Sequence, residues 1–250
     1  MNKYLKNLNR IEFVVTSACT GNCKHCSQGD HQSTDSLDKD ISSKIVRTIA
    51  GEYNIKSVMT FGGEPLLYPD TVCEIHKAAK EMNIPKRQLI TNGYFSKDSE
   101  FVKSVAEKLS ESGVNEILLS VDAFHQETIP LEYVIMFAES VKDAGVKIMA
   151  HPAWLVSPDD NNPYNIRTRE LLDKFIGINI GISDGNVVFP AGNALKHFLE
   201  YFDLSSENPN PYIEDPTDIK AICISANGDL LNENIYSSDV NEILDSYIPK

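Results

Sequence analysis

Ser57-Val-Met-Thr-Phe61 runs into Gly62-Gly63-Glu64-Pro65, and an amphipathic stretch follows from Asp70 to Met82. A short apolar and β-branched run, then glycine and proline punctuation, then apolar residues at helical spacing read as strand, turn and helix. Asp70 follows Pro69 and marks the helix entry. The same unit recurs on both sides. Strand-like runs occur at residues 11–16, 88–91, 116–121, 146–151 and 186–190. Helical patterns fill residues 39–53, 97–112, 130–144, 165–176 and 193–202. Gly113 and Gly145 stand directly after two of these patterns, where helix-stop glycines belong.

Six strand-then-helix repeats predict an α/β fold with a parallel sheet and right-handed crossovers. Residues 191–250 do not read as two more clean units, so the expectation is a partial (β/α)6 TIM-like barrel with a short C-terminal extension. A doubly wound open sheet is the competing architecture. Residues 1–203 are expected to form the barrel. Residues 204–218 carry Pro209, Pro211 and Pro216 and read as a linker, leaving residues 219–250 as a short tail unit.

The chain has 250 residues, 42% of them apolar and 24% charged, which excludes wholesale disorder. Its net charge is −13. A field of that sign repels phosphate backbones and anionic lipid, so neither nucleic acid nor membrane is an expected partner. The richest apolar stretch, residues 146–156, is broken by Lys147, His151 and Pro152. Residues 11–15 are too short for a signal-peptide core, and a cytoplasmic protein is expected.

Five cysteines are present, three of them in Cys19-Thr-Gly-Asn-Cys23-Lys-His25-Cys26. That is a metal-site pattern rather than a disulfide framework. Soft thiolates at this spacing suit zinc or an iron–sulfur cluster, and three of them leave one coordination position open. A structural zinc site completed by His25 or Cys223 is the plainer alternative, and the cysteines alone do not choose. In Gly62-Gly63-Glu64-Pro65, two glycines admit a molecule against the backbone and Glu64 offers a carboxylate to an ammonium. Taken alone, the string also reads as a tight turn.

Cys-x3-Cys-x2-Cys followed one unit later by Gly-Gly-Glu-Pro resembles the radical S-adenosylmethionine (SAM) superfamily, in motif order over about residues 8–190. The resemblance implies a 4Fe–4S cluster on Cys19, Cys23 and Cys26, with SAM completing the fourth iron. It implies that Gly62, Gly63 and Glu64 bind the SAM amino group and that His25 meets adenine. It further implies reductive cleavage of SAM to a 5′-deoxyadenosyl radical, which removes a hydrogen atom from a substrate. A flavodoxin or ferredoxin-like protein would supply the electron.

Other polar residues fall at expected strand ends, which converge on one mouth in a parallel barrel. They are Asn92-Gly93 after the third strand, Ser120, Asp122 and His125 after the fourth, and His151 at the fifth. By resemblance, Ser120 and Asp122 approach the SAM ribose or carboxylate, with Asn92 beside them, although Asn92-Gly93 also reads as a turn. His125 and His151 are candidate catalytic groups. The family's Gly-x-Ile-x-Gly-x-x-Glu pattern is absent around His151.

The string at Cys223-Ile-Ser-Ala-Asn-Gly228 resembles the C-terminal module of peptide-modifying members, in the SPASM or twitch manner, but without the cysteines of an auxiliary cluster. One cluster is therefore expected. Cys223 is either a hydrogen-atom donor to a substrate radical or a packing residue, and Cys73 is expected on a buried helix face. The leading expectation is a single-cluster radical SAM enzyme acting on a peptide or protein. A glycyl-radical-enzyme activase and a non-catalytic iron–sulfur or zinc protein are the alternatives.

Overall fold

The structure, a computed structural model, describes residues 2–29, 33–204 and 210–250. β1 (Arg10–Val14), β2 (Ser57–Phe61), β3 (Lys86–Thr91), β4 (Glu116–Ser120) and β5 (Lys147–His151) pair in parallel and in sequence order. Between them lie α1 (Lys39–Glu52), α2 (Pro69–Glu81), α3 (Ser99–Ser112) and α4 (Leu131–Asp143). The helix ends follow local chemistry. Asp38 caps α1 by accepting from the Asp40 and Ile41 amides, and Asp98 does the same for α3. Gly113 closes α3 at φ +91°, a conformation that L side chains rarely adopt.

Successive helices pack neighbour against neighbour, α1 on α2, α2 on α3 and α3 on α4. All four therefore cover one face of the sheet, as in a partial barrel, and the doubly wound alternative falls. The sheet is mixed and does not close into a barrel among the described residues. Alternate strand residues point into the helix layer and are fully buried there, among them Ile11, Phe13, Val58, Leu89, Ile117 and Leu119. The intervening residues face the concave side, where Arg10, Glu12, Val14, Phe61, Ile90 and Met149 are only half-buried. That contrast defines an open lumen.

The sixth strand differs from expectation. The position beside β5 is taken by β7 (Gly181–Ile182), whereas β8 (Asn186–Val187) pairs with β6 (Ala153–Trp154) in a separate two-stranded ladder. Pro152 is the cause: without an N–H it ends β5, and the chain resumes as β6 on a new line. Beyond α5 (Pro163–Gly177) and the short α6 (Gly192–His197), β9 (Ala221–Ile224) returns to pair in parallel with β1. β10 (Asp229–Leu230) and β11 (Glu233–Asn234) extend the sheet antiparallel, and α7 (Val240–Ser246) packs on α1. Residues 205–209 of the expected linker lie outside the described residues.

Candidate active site

The three cysteines lie on one loop at the C-terminal end of β1, and the exit from β2 pins that loop down. The Gly63 amide donates to Thr16 O at 2.8 Å and the Glu64 amide to Ala18 O at 2.7 Å. A Cβ on Gly62 would stand 2.6 Å from Thr16 O, and one on Gly63 would stand 2.0 Å from Ala18 O. The molecule pressed against these glycines is thus the protein's own chain entering the cysteine loop. At the far end of the loop, a Cβ on Gly192 would come within 2.5 Å of Cys26 O, to which the Asn193 amide donates at 2.9 Å. Sequence reading did not single out Gly192 and Asn193 as site residues.

The loop shapes the chemistry of its thiols. Burial pushes the Cys19 thiol up to about 11, with Glu64 and Cys26 adding negative charge nearby. Cys23 is raised by burial, then by Asp122 and the other two cysteines. Cys19 and Cys23, buried and in each other's field, would give up their protons together only with a cation to compensate them. The donor set of Cys19, Cys23 and Cys26 suits an iron–sulfur cluster. Cys73 lies on α2 and Cys223 on β9, so neither shares this loop.

Glu64 is fully buried behind the loop. Its Oε1 accepts from Leu66 N at 2.9 Å and Thr91 Oγ1 at 2.7 Å, and its Oε2 accepts from Asn92 N at 2.8 Å. Burial outweighs these donors and lifts its pKa to about 7. One lone pair on Oε2 is left for a further donor. Asn92 ties β3 to the loop, its Nδ2 lying 3.2 Å from Thr20 Oγ1 and 3.7 Å from Cys19 Sγ. Thr91, which reaches Glu64 from the residue before, belongs to the polar string at the end of the third strand, but its carboxylate partner could not be read from the sequence.

Across the mouth, Ser120 ends β4 in register with His151. Asp122 is buried and organises the turn that follows, accepting from Phe124 N at 3.0 Å, His125 N at 2.9 Å and His125 Nδ1 at 2.8 Å. His25 stacks on Phe124 with centroids 4.8 Å apart and meets His125 edge-on at 4.7 Å. Phe124 in turn stacks on Tyr164, and Phe198 closes a small second core behind this wall. Cys223 stands opposite Glu12 on the lumen side, well below the mouth.

A parallel partial barrel with three thiols after its first strand, and a buried carboxylate after its second, is a recurrent arrangement. The sequence profile of the Radical SAM superfamily matches residues 13–153. The chain belongs to the radical SAM superfamily. Radical SAM relatives include the Probable GTP 3′,8-cyclase of Saccharolobus islandicus, 29% identical over 213 residues, covering 82% of this chain and 65% of that protein. The Probable GTP 3′,8-cyclase of Methanocaldococcus jannaschii is 29% identical over 128 residues, covering 50% and 40%. This chain thus spans 40% to 65% of the length of these curated relatives.

Among solved structures, Streptococcus suis SuiB bound to S-adenosylmethionine superposes with a TM-score of 0.61 at 15% identity, covering 98% of this chain and 67% of that one. Native anSMEcpe with bound AdoMet gives 0.59 at 14% identity, covering 95% and 80%. These likenesses share the fold. The protein is a radical SAM superfamily enzyme, and the superfamily implies a 4Fe–4S cluster and S-adenosylmethionine. No described helix is long and apolar enough to cross a membrane.

Proposed function

We propose that this chain is a single-cluster radical SAM enzyme whose substrate is a peptide or protein. The observation that carries the single cluster is the cysteine loop itself. Cys19, Cys23 and Cys26 share one pinned loop, while Cys73 and Cys223 sit on separate elements. Residues 204–250 contain Cys223 alone, and we read β9, β10 and β11 as a module of the SPASM or twitch kind whose own residues offer no ligand set for an auxiliary cluster.

When bound and reduced, the cluster together with SAM supplies a 5′-deoxyadenosyl radical that abstracts hydrogen. The chain's own residues do the rest. Glu64 Oε2 takes the SAM ammonium, His25, backed by the buried Phe124, offers its ring to adenine, and Ser120 faces the ribose or carboxylate. Val14, Phe61, Ile90, Leu118 and Met149 form an apolar belt in the lumen below, which keeps water from a reactive carbon. The electron would arrive from a flavodoxin or ferredoxin-like donor.

The relatives' name brings a rival substrate, a nucleoside triphosphate. A triphosphate needs uncompensated cations, and two basic side chains of the lumen, Arg10 and Lys147, already face carboxylates. Arg10 Nε is 2.5 Å from Glu12, and Lys147 Nζ is 2.5 Å from Glu116. A peptide carries no such requirement. Native anSMEcpe with AdoMet and a peptide bound also shares the fold, with a TM-score of 0.55 at 15% identity and coverage of 93% of this chain.

The test is anaerobic reconstitution with iron and sulfide, followed by SAM and dithionite, with peptide pools or GTP added. Peptide-stimulated 5′-deoxyadenosine with deuterium transfer from labelled peptide supports the proposal. Stimulation by GTP alone replaces it with the rival, and no cleavage at all removes the radical reading.

A further inference from the structure

Three histidines meet at the mouth, and their hydrogen bonds separate them. His151 has both ring nitrogens engaged, Nδ1 with Ser183 Oγ at 2.7 Å and Nε2 with the Asn186 amide nitrogen at 2.9 Å. An amide nitrogen only donates, so His151 Nε2 accepts and its proton sits on Nδ1. His25 lies against Phe124 with its Nδ1 buried and without a partner among the described residues.

His125 is different. Its Nδ1 lies 2.8 Å from Asp122 Oδ2, and its side chain is 18% exposed at the mouth. An ionised carboxylate accepts and never donates, so Nδ1 carries the proton and the lone pair is left on Nε2. Burial opposes the charge of Asp122, yet His125 and the neighbouring N–H groups hold its carboxyl well below the usual range. Besides the imidazole, Asp122 accepts from the Phe124, His125 and Ala153 amides, the last at 3.1 Å. Four donors fill its lone pairs. The ligand atoms of His25, Asp122 and His125 do lie within 4.8 Å of one another, but Asp122 has nothing left to give a metal ion.

We propose that Asp122 and His125 form a fixed proton acceptor, with His125 Nε2 as the accepting atom and Asp122 as the positioning residue. It would serve a substrate that carries a hydroxyl or amino group on the carbon that loses hydrogen. A radical on such a carbon acidifies the adjacent O–H or N–H. The proton moves to Nε2, forming N–H, while the electron pair of the broken bond stays on oxygen or nitrogen. No electron is gained or lost in this step, and Asp122 stabilises the imidazolium. The groups facing His125 are Glu64 from the β2 exit, His25 from the cysteine loop, His151 from β5 and Asp122 from its own turn. The inference rests on the mouth being the radical SAM reaction chamber.

The test is acylation by diethylpyrocarbonate, which attacks unprotonated imidazole nitrogen. It is applied to the reconstituted full chain without SAM, from pH 5 to 8, with peptide mapping by mass spectrometry. His125 is expected to react ahead of His25 and His151. Asp122→Asn, which has one acceptor oxygen in place of two for the His125 ring and the Ala153 amide, should erase that lead at fixed pH. His151 or His25 reacting first, or a lead of His125 that Asp122→Asn leaves intact, overturns the proposal. The wild-type order needs no variant and decides even where Asp122→Asn does not fold. Failure of SAM cleavage would sink the radical reading alone, whereas a reversed acylation order would sink the dyad alone.

Discussion

Gly63 lies so close to Ala18 that a Cβ on the glycine would stand 2.0 Å from the Ala18 carbonyl oxygen. The Gly-Gly-Glu-Pro string is thus a clamp on the cysteine loop as well as the base of a carboxylate site. Gly63→Ala should cost about 1–3 kcal/mol of stability through forced backbone shifts. It should also lower iron per chain after reconstitution. Gly51→Ala is the control: nothing lies within 4 Å of a Cβ at that position in α1, and the change should stabilise by about 0.5–1 kcal/mol. Thermal denaturation and iron analysis check both.

Replacing Cys19, Cys23 or Cys26 by Ala should abolish cluster assembly, while Cys73→Ala and Cys223→Ala keep about four irons per chain. Iron and sulfide analysis of the five variants reads this directly. A value near eight in the wild type would require a second set of ligands.

Glu64 has a pKa of about 7 in the folded protein, raised by burial. Its contribution to stability is therefore fully present below the ordinary carboxylate range and lost as pH rises through about 7. The melting temperature of the SAM-free protein should fall across that window, and Glu64→Gln should flatten the fall. The same variant should weaken SAM binding, measured by equilibrium dialysis. Unchanged affinity would remove the ammonium role.

His76 has the opposite sign. It is fully buried beside Thr60, whose Oγ1 is 2.9 Å from its Nε2, and burial lowers its pKa to about 3. The unfolded chain takes up a proton near pH 6.5 that the folded chain refuses, so stability is lost as pH falls from there through about 3. Urea denaturation at pH 7 and pH 5 should show the loss, and His76→Gln should reduce it.

The parts of the fold readable in sequence are those written locally. The strand and helix order from residue 11 to residue 151, the stops at Gly113 and Gly145, and the single loop of three cysteines all follow from neighbours in the chain. What escaped were contacts between distant segments. Gly63 against Ala18 and Gly192 against Cys26 leave no trace in spacing, because a glycine that admits a ligand and one that admits its own backbone look alike. Asp122 is another case: an acid after a strand is open to many roles until the Ala153 amide arrives from beyond β5. The run at residues 186–190 pairs with β6 in a second ladder and not with β5, because Pro152 ends β5 and redirects the chain, a consequence that the run itself does not carry.

The pairing of β9 with β1 imposes an order of assembly. Arg10 leaves the ribosome long before its partner Ala221. Until then the strand that carries the cysteine loop has an unpaired edge, open to water and to other copies of the chain. Iron loaded during synthesis would meet a loop on a half-supported strand. Maturation of the metal centre therefore belongs after β9 has been made and paired, and a chain cut short before residue 221 would keep its sticky edge.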